Sequence, residues 1–303
     1  MVMHAHRRPR GSRRADGPLR SLVVERDVEQ LRTRAEPPPF RRVSVARTER
    51  RTPFLVRVTL AGEELRTMPN EEPGASVRLL LPDPSTGELV LPTWNGNEFL
   101  AADGSRPPIR TLTPLELRDQ PGETPELDVE IVLHDGGALT DWAQAASPHR
   151  PAAVSGPGRG YTVDRDATSF LFVGDESAAP AITTILAALP ATSRALVLVE
   201  VHHRDAALDW TTVPSDAEVE VRSLVRAPGA ALGDATLEVV RGSDMAPGTR
   251  VWGAGEAAAV QRLRRHLFEE RGVPRSHAVV RGYWKLDRTP RERALPRPVA
   301  APD

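Results

Sequence analysis

The sequence predicts two architectures in succession: a small antiparallel β-barrel or sandwich, followed by a doubly wound α/β domain with a parallel sheet. The first prediction depends on short, turn-bounded runs after Phe40, such as 127–133, in which apolar residues alternate. The second depends on a change of period after Tyr161, where the continuous apolar run 169–173 precedes a helical pattern. Strands that alternate with helices predict a parallel sheet whose ligands bind at the carboxyl ends of its strands.

Individual elements follow from apolar spacing and from turn residues. In the barrel, strands are expected near 43–45, 56–60, 77–81 and 127–133, and a short helix over 139–146. In the α/β domain, strands are expected at 169–173, 195–201, 219–225, 250–252 and 278–284. Helices are expected from about Pro180 to Leu189, over 232–240 and over 256–271, with Gly272 as a stop signal.

Composition limits the class of protein. With 303 residues, of which 40% are hydrophobic and 27% charged, the chain is long enough for one large or two ordinary globular domains. A formal net charge of -1 gives no general reason to expect a nucleic acid partner. Cysteine is absent, which excludes disulfides, thiolate zinc sites, cysteine-ligated iron–sulfur clusters and a catalytic thiol. A redox function would therefore require a bound organic cofactor, and no metal site is expected.

The ends of the chain differ in composition from its middle. Residues 1–39 are rich in Arg and Pro and predict a disordered tail, as do residues 289–303. Between the tails, we expect a β-barrel domain at 40–164 and an α/β domain at 165–288. No apolar run is long enough to span a bilayer, and no apolar signal core follows the basic residues at the N-terminus. We therefore expect a cytoplasmic protein without membrane insertion.

The end of an apolar, Pro-bounded segment combines Arg110 with Thr113. Residues three positions apart on an extended strand point to opposite faces, so the two side chains can serve different parts of one ligand. The planar guanidinium of Arg110 suits a phosphate, and the hydroxyl of Thr113 can hydrogen-bond a heteroaromatic nitrogen. Alternatively, the segment is an ordinary half-exposed strand.

Two glycines, Gly136-Gly137, interrupt the strand pattern before the short helix. If that helix begins near Ala138, its free amide groups and the hydroxyl of Thr140 face outward at a positive dipole end. Such an arrangement predicts a phosphate site. A plain turn into a surface helix is the alternative, which the presence of Arg110 upstream makes less favoured.

A glycine motif lies late in the α/β domain. The segment from Gly253 to Ala258 matches the G-x-G-x-x-A form of a dinucleotide-binding turn, and it is expected between a strand and a helix. Glycines required for a tight strand-to-helix turn would produce the same pattern. Asp175 and Glu176 come just after a buried strand, where acids commonly cap the following helix.

Further motifs occur in a fixed order: Val132-Leu133-His134, Gly137 to Ala143, Ser155-Gly156-Pro157, Gly174 to Ser177, Val251 to Ala257 and Arg281 to Trp284. Together with the segment from Arg110 to Pro114, they resemble the siderophore-interacting protein family, the FAD-dependent ferric-siderophore reductases of the ferredoxin-reductase superfamily. The resemblance extends from about Phe40 to about Leu286. It implies a barrel FAD-binding domain followed by an α/β domain that interacts with NAD(P)H and the siderophore.

The resemblance also implies roles for individual residues. The implied FAD site consists of Arg110, Thr111, Leu112, Thr113, Val132, His134, Gly137, Ala138, Leu139 and Thr140, with Thr113 beside the flavin. The implied nicotinamide-nucleotide cleft consists of Gly174, Asp175, Glu176, Ser177, Gly253, Ala254, Gly255, Glu256 and Trp284. Arg281 and Lys285 could attract an anionic chelate. No acid–base residue is required, because the cofactor carries the chemistry.

The implied function is a ferric-siderophore reductase that releases Fe(II) for iron assimilation. Electrons pass from NADPH or NADH, or from a ferredoxin, through FAD to the ferric siderophore, and the protein is expected to be a monomer. Leu112 departs from the family pattern, Arg-x-Tyr-Thr or Ser, and leucine forfeits about 0.5–1.5 kcal/mol of aromatic-pair energy with the flavin. Two alternatives are a general NAD(P)H-dependent flavin or ferric reductase, and a siderophore- or nucleotide-binding module without tight FAD.

Overall fold

The computed structural model describes residues 35–69, 72–134 and 136–286. Most of the predicted N-terminal tail and the whole of the predicted C-terminal tail lie outside these residues, so the disorder expected there stays a prediction. Residues 35–39 have no regular secondary structure. In the described part of the chain, no helix is both long and apolar enough to cross a bilayer.

The N-terminal half is built from antiparallel strands. Their bounds are β1 Phe40–Thr52, β2 Leu55–Ala61, β3 Val77–Leu80, β4 Thr93–Trp94, β5 Phe99–Leu100, β6 Ile109–Leu112, β7 Pro114–Arg118, β8 Glu126–Val132 and β9 Pro151–Ser155. One sheet has the order β6-β3-β9-β1-β2-β8-β7, and β4 and β5 form a separate hairpin. The edge strands β6 and β7 are consecutive in the chain and are joined by Thr113. The predicted barrel is therefore confirmed as a sheet that curls until its two edges meet at Thr113.

Apolar and charged residues alternate along β8, and the apolar ones form part of the barrel core. Leu127, Val129 and Ile131 are fully buried in its core. The intervening carboxylates of Asp128 and Glu130 are also buried, and they form ion pairs with arginines of neighbouring strands. After β8, helix α1 (Ala138–Gln144) packs Trp142 into the same core, as expected for a short helix at this position.

The C-terminal half alternates strands with helices, as predicted. The elements are β10 Ser169–Asp175, α2 Ala179–Leu186, β11 Arg194–Val201, β12 Glu218–Val225, α3 Asp234–Gly242, β13 Arg250–Glu256, α4 Ala257–Arg265 and β14 Ala278–Trp284. The five strands are parallel, in the order β12-β11-β10-β13-β14. The strand order reverses between β10 and β13, and this switch point is where doubly wound sheets bind ligands.

Both faces of the parallel sheet are covered, which explains the continuous apolar run in β10. Phe172 packs with Ile182 and Ile185 of α2 on one face. On the other face, Leu171 and Val173 belong to a cluster that also includes residues of α3 and α4. The predicted helix at 256–271 begins one residue later, because Glu256 is the N-cap of α4, and it ends in a π-helical turn at His266–Glu270.

The two sheets are in direct contact. Phe54, in the turn between β1 and β2, packs into the α2 face of the parallel sheet, and its ring centroid lies 4.3 Å from that of His202. The backbone N–H of Gly74 donates to Oγ1 of Thr184 in α2 at 2.9 Å. These contacts bring the barrel against the end of the parallel sheet at which β11 finishes.

Candidate functional site

The two halves also meet at Thr113, the residue that joins β6 to β7. Thr113 is buried, and its side chain hydrogen-bonds the phenol of Tyr283, near the end of β14. Burial raises the pKa of Tyr283, although the nearby Arg281 and the Thr113 hydrogen bond oppose that change. The closing point of the barrel therefore faces the carboxyl end of the parallel sheet, where the sequence predicts a cofactor cleft.

Arg110 lies in β6, three residues before Thr113. Its side chain is exposed, and Nη1 donates to the neighbouring carbonyl of Ile109 at 2.9 Å. Among the described residues, no carboxylate lies within ion-pair distance of Arg110, so its guanidinium is open to an anionic ligand. Thr111 is exposed beside it, and Leu112 packs against the barrel core.

The turn before α1 is shaped by close packing. A Cβ at Gly137 would lie 2.8 Å from Cε1 of His134, so any larger residue there would require the His134 ring to shift. No side chain caps the first turn of α1, which leaves its amide groups open as predicted. Ala138 and Leu139 pack at the edge of the barrel core, and Val132 ends β8.

The predicted orientation of Thr140 is wrong. Thr140 is buried, and its Oγ1 accepts a hydrogen bond from the backbone N–H of His134 at 3.3 Å. Its hydroxyl thus closes the loop between β8 and α1 and does not face outward. Any phosphate at this turn would meet backbone amides only.

Asp175 ties together the ends of three parallel strands. Its Oδ1 accepts from the backbone N–H of Ser177, and its Oδ2 accepts at 2.9 Å from the backbone N–H of Glu256 and from Nε1 of Trp284. Burial of the carboxyl group raises the pKa of Asp175, although the Ser177 and Trp284 hydrogen bonds oppose that rise. Its acceptor positions are therefore filled by the chain's own donors.

The glycine motif lies at the end of a strand, directly before a helix, and its function as a dinucleotide-binding turn stays a prediction. Gly253, Ala254 and Gly255 all lie inside β13. A Cβ at Gly253 would press on Leu263 of α4 at 3.1 Å. Gly255 has a φ of +148° and leaves room for Asp175, because a Cβ there would lie 2.6 Å from Asp175 Oδ2. Both glycines thus serve packing of the chain against itself.

The other acidic residues of the cleft have partners of their own. Glu176 accepts hydrogen bonds from the backbone and ring of His202. Glu256 caps α4, and its Oε2 accepts from the amides of Ala258 at 2.7 Å and Ala259 at 3.0 Å. Gly174 lies at the end of β10, where a Cβ would lie 2.4 Å from that of Ala178.

Sequence reasoning missed Glu200, the buried carboxylate at the end of β11. Its two oxygens accept from the amides of Gly233 at 2.9 Å and Ala235 at 3.2 Å, at the start of α3. Burial raises the pKa of Glu200, against the effect of these amides and of Arg226. A signal was available, because Glu200 is the one charged residue in the apolar run 195–201.

The predicted substrate-binding cations lie near the end of β14. Arg281 is half-buried, and Lys285 is exposed. Beside them, Tyr283 and Trp284 are 39% and 38% exposed, which is unusual for large aromatic residues. Among the described residues, no group of three or more His, Asp or Glu side chains could hold a metal ion.

Comparison with known proteins identifies this arrangement. A model described as the siderophore-interacting FAD-binding domain matches residues 44–161, and a model described as the siderophore-interacting protein matches residues 167–287. An uncharacterized Mycobacterium tuberculosis protein is 34% identical over 266 residues, which are 83% of this chain and 92% of that protein.

A relative with a named activity and a solved structure agree with these matches. The ferric vibriobactin reductase ViuB of Vibrio cholerae is 29% identical over 237 residues, which are 76% of this chain and 84% of ViuB. The crystal structure of a siderophore utilization protein from T. fusca has a TM-score of 0.70 and 29% identity, covering 85% of this chain and 97% of that one. The chain belongs to the siderophore-interacting protein family, with its FAD-binding domain in the N-terminal half.

Proposed function

We propose that this protein is an FAD-dependent ferric-siderophore reductase that uses NAD(P)H as its electron donor. The observation that carries the proposal is the contact between Thr113 and Tyr283. It brings the closing edge of the FAD-binding barrel against the carboxyl end of the parallel sheet, so that one cleft can serve both a flavin and its donor. The named activity of the Vibrio cholerae relative supports the same reaction.

The residues of the barrel half fit a bound FAD. Arg110 presents an exposed guanidinium to the diphosphate, and the uncapped turn from Gly137 to Leu139 offers backbone amides to the same group. The hydroxyl of Thr113 would hydrogen-bond the flavin ring near N5. Leu112 would cover an apolar face of the flavin ring without stacking on it. When bound, FAD converts a two-electron donor into single-electron steps toward Fe(III).

The residues at the end of β14 fit an anionic iron chelate as substrate. Arg281 and Lys285 add positive charge at the rim of the cleft, and the two exposed aromatic rings of Tyr283 and Trp284 provide an apolar surface. Hard oxygen chelators hold Fe(III) far better than Fe(II). Reduction at this rim therefore releases the iron.

The remaining parts of the proposal concern organisation. Residues 40–164 form the FAD-binding domain and residues 165–288 the domain for the donor and the siderophore. The protein acts as a monomer in the cytoplasm. Either nicotinamide nucleotide is accepted, with a ferredoxin as the alternative donor.

Anaerobic iron reduction tests the proposal. The full chain, loaded with FAD, is mixed with NAD(P)H and a ferric catecholate siderophore, and Fe(II) is measured with a ferrous-specific chelating dye. We expect Fe(II) to form many times faster than with free FAD at the same concentration.

The same assay with a quinone as acceptor separates a siderophore reductase from a general flavin reductase, since the general enzyme would show no preference for the ferric siderophore. Equal rates with the protein and with free FAD would contradict the proposal.

A further inference from the structure

The cleft at the switch point of the parallel sheet is the natural place for the donor. It is lined by the ends of β10, β11 and β13 and by the first turns of α3 and α4. In such sheets, dinucleotides place their diphosphate against a helix N-terminus at this crevice. Whether the amides at these helix N-termini are already hydrogen-bonded therefore decides whether the diphosphate of a donor can bind here.

The helix N-termini around this cleft are already occupied by carboxylates of the chain. Glu200 accepts from the amides of Gly233 and Ala235 before and within the first turn of α3. Glu256 does the same for the first turn of α4. Asp175 accepts from the amide of Ser177, in the turn that leads into α2. A diphosphate would have to displace a covalently tethered anion at each of these places.

Two arginines beside α3 and α4 are also engaged. None of the residues that line the cleft is Arg or Lys. Arg226 lies 3.9 Å from Glu200, and Arg262 pairs with Asp234 at 3.1 Å. Beyond β11, His202 is held by Glu176, which leaves Arg204 exposed outside the cleft lining. The cleft thus presents Asp175, Glu200 and Glu256 to an incoming phosphate, and like charge opposes its approach.

The nicotinamide end of a donor meets different chemistry. Nε1 of Trp284 donates to Asp175 at 2.9 Å, which fixes its ring beside the cleft, and the phenol of Tyr283 lies next to Thr113 of the barrel. Fixed aromatic rings can stack on a planar dihydronicotinamide without any charge. Recognition at this end requires no phosphate.

We propose that the α/β domain recognises its donor by the dihydronicotinamide riboside end alone and leaves the diphosphate and the adenosine unanchored. The proposal rests on the proposed function, in which a reduced nicotinamide reduces the flavin. It makes NADH, NADPH and reduced nicotinamide riboside donors of one class, with Asp175, Glu200 and Glu256 as the residues that exclude phosphate recognition.

The test compares three donors on the FAD-loaded full chain without oxygen. The rate of flavin bleaching gives kcat/KM for reduced nicotinamide riboside, NADH and NADPH. We expect the three values to agree within about 10-fold, because a diphosphate held by charge-assisted bonds would add a larger factor. A preference of more than about 10-fold for either dinucleotide over the riboside, or for NADPH over NADH, would overturn the proposal. If none of the three donors bleaches the flavin, the proposed function itself fails.

A variant pair tests the role assigned to the carboxylates. Glu200→Gln removes one negative charge from the cleft, so kcat/KM for NADPH should rise about 3-fold while the value for the uncharged riboside stays constant. Glu220→Gln is the matched control, because Glu220 is exposed on β12 and pairs with Arg222. A fall in the NADPH value alone in Glu200→Gln would mean that Glu200 helps to bind the nucleotide, and the proposal would be wrong.

Discussion

Helix starts in the two halves of the molecule are used in opposite ways. The first turn of α1, in the barrel half, has no side-chain cap, and Arg110 of β6 has no carboxylate partner among the described residues. In the parallel half, the starts of α3 and α4 are closed by Glu200 and Glu256. The same backbone feature is thus left open to an anion in one half and filled in the other. Under the proposed function, this difference predicts tight phosphate binding on the FAD side and weak phosphate binding on the donor side.

The largest expected effect comes from removing the guanidinium of Arg110. Arg110→Ala should weaken FAD binding about 10- to 100-fold, because a charge-assisted hydrogen bond contributes about 1.5–3 kcal/mol. The dissociation constant is measured by titrating FAD and following its fluorescence. Arg106→Ala is the control, since Arg106 is exposed and already pairs with Glu98. Equal FAD affinity in the two variants would mean that the diphosphate binds elsewhere, and the contrast drawn between the two halves would be wrong.

The second prediction concerns a substitution in the parallel sheet, Gly255→Ala, which strains β13 and leaves the barrel unchanged. Gly255→Ala should lower the free energy of unfolding by about 1–3 kcal/mol, because the added Cβ would meet Asp175 and the backbone φ is +148°. Urea denaturation measures the loss. Gly242→Ala, at the end of α3, has open space around it and should be neutral or slightly stabilising. If both variants were equally stable, Asp175 would not be packed as tightly as described.

The third prediction concerns Leu112 and tests whether its side chain faces the flavin ring. Leu112→Tyr should tighten FAD binding by about 2- to 10-fold, which corresponds to an aromatic contact of about 0.5–1.5 kcal/mol with the flavin. Leu112→Phe separates the ring from the hydroxyl and should give most of the same gain. Unchanged affinity in both variants would show that residue 112 does not face the flavin ring.

The smallest expected effect is a dependence of stability on pH. The pKa of Glu200 is raised in the folded protein by burial, so the folded state holds its proton to a higher pH than the unfolded chain does. Its contribution to stability is therefore greatest at acid pH and falls as pH rises through the folded-state pKa. As the pH falls through the folded-state pKa of Glu200, the native protein should gain stability relative to Glu200→Gln. A stability difference between the two proteins that is the same at every pH would contradict this account.

Secondary structure could be predicted well because burial imposes a period on each sheet. The run 169–173 is apolar throughout, since α2 covers one face of β10 while α3 and α4 cover the other. β14 was predicted with its exact bounds, at 278–284. The order of strands in the barrel could not be read from the sequence, because it depends on pairings between distant segments.

The site could be predicted only where a residue's chemistry is independent of its neighbours. Arg110 is exposed, as its long charged side chain favours, whereas its role in binding FAD stays a prediction. By contrast, the motif shows that residues 253 and 255 are glycines, but it does not show which neighbouring atoms require glycine there. Their neighbours are Leu263 and Asp175, which only the fold brings near. The hydroxyl of Thr140 was misplaced for the same reason, because loop closure directs it to His134.

The absorbance spectrum of the protein through one catalytic cycle tests the central claim most directly. The full chain is incubated with FAD, washed, reduced with NADH without oxygen and then mixed with a ferric siderophore. The account predicts a flavin spectrum that survives the wash, bleaches with NADH and returns with the siderophore, while Fe(II) appears. A protein that loses FAD in the wash, or a reduced flavin that the ferric siderophore does not reoxidise, would contradict it.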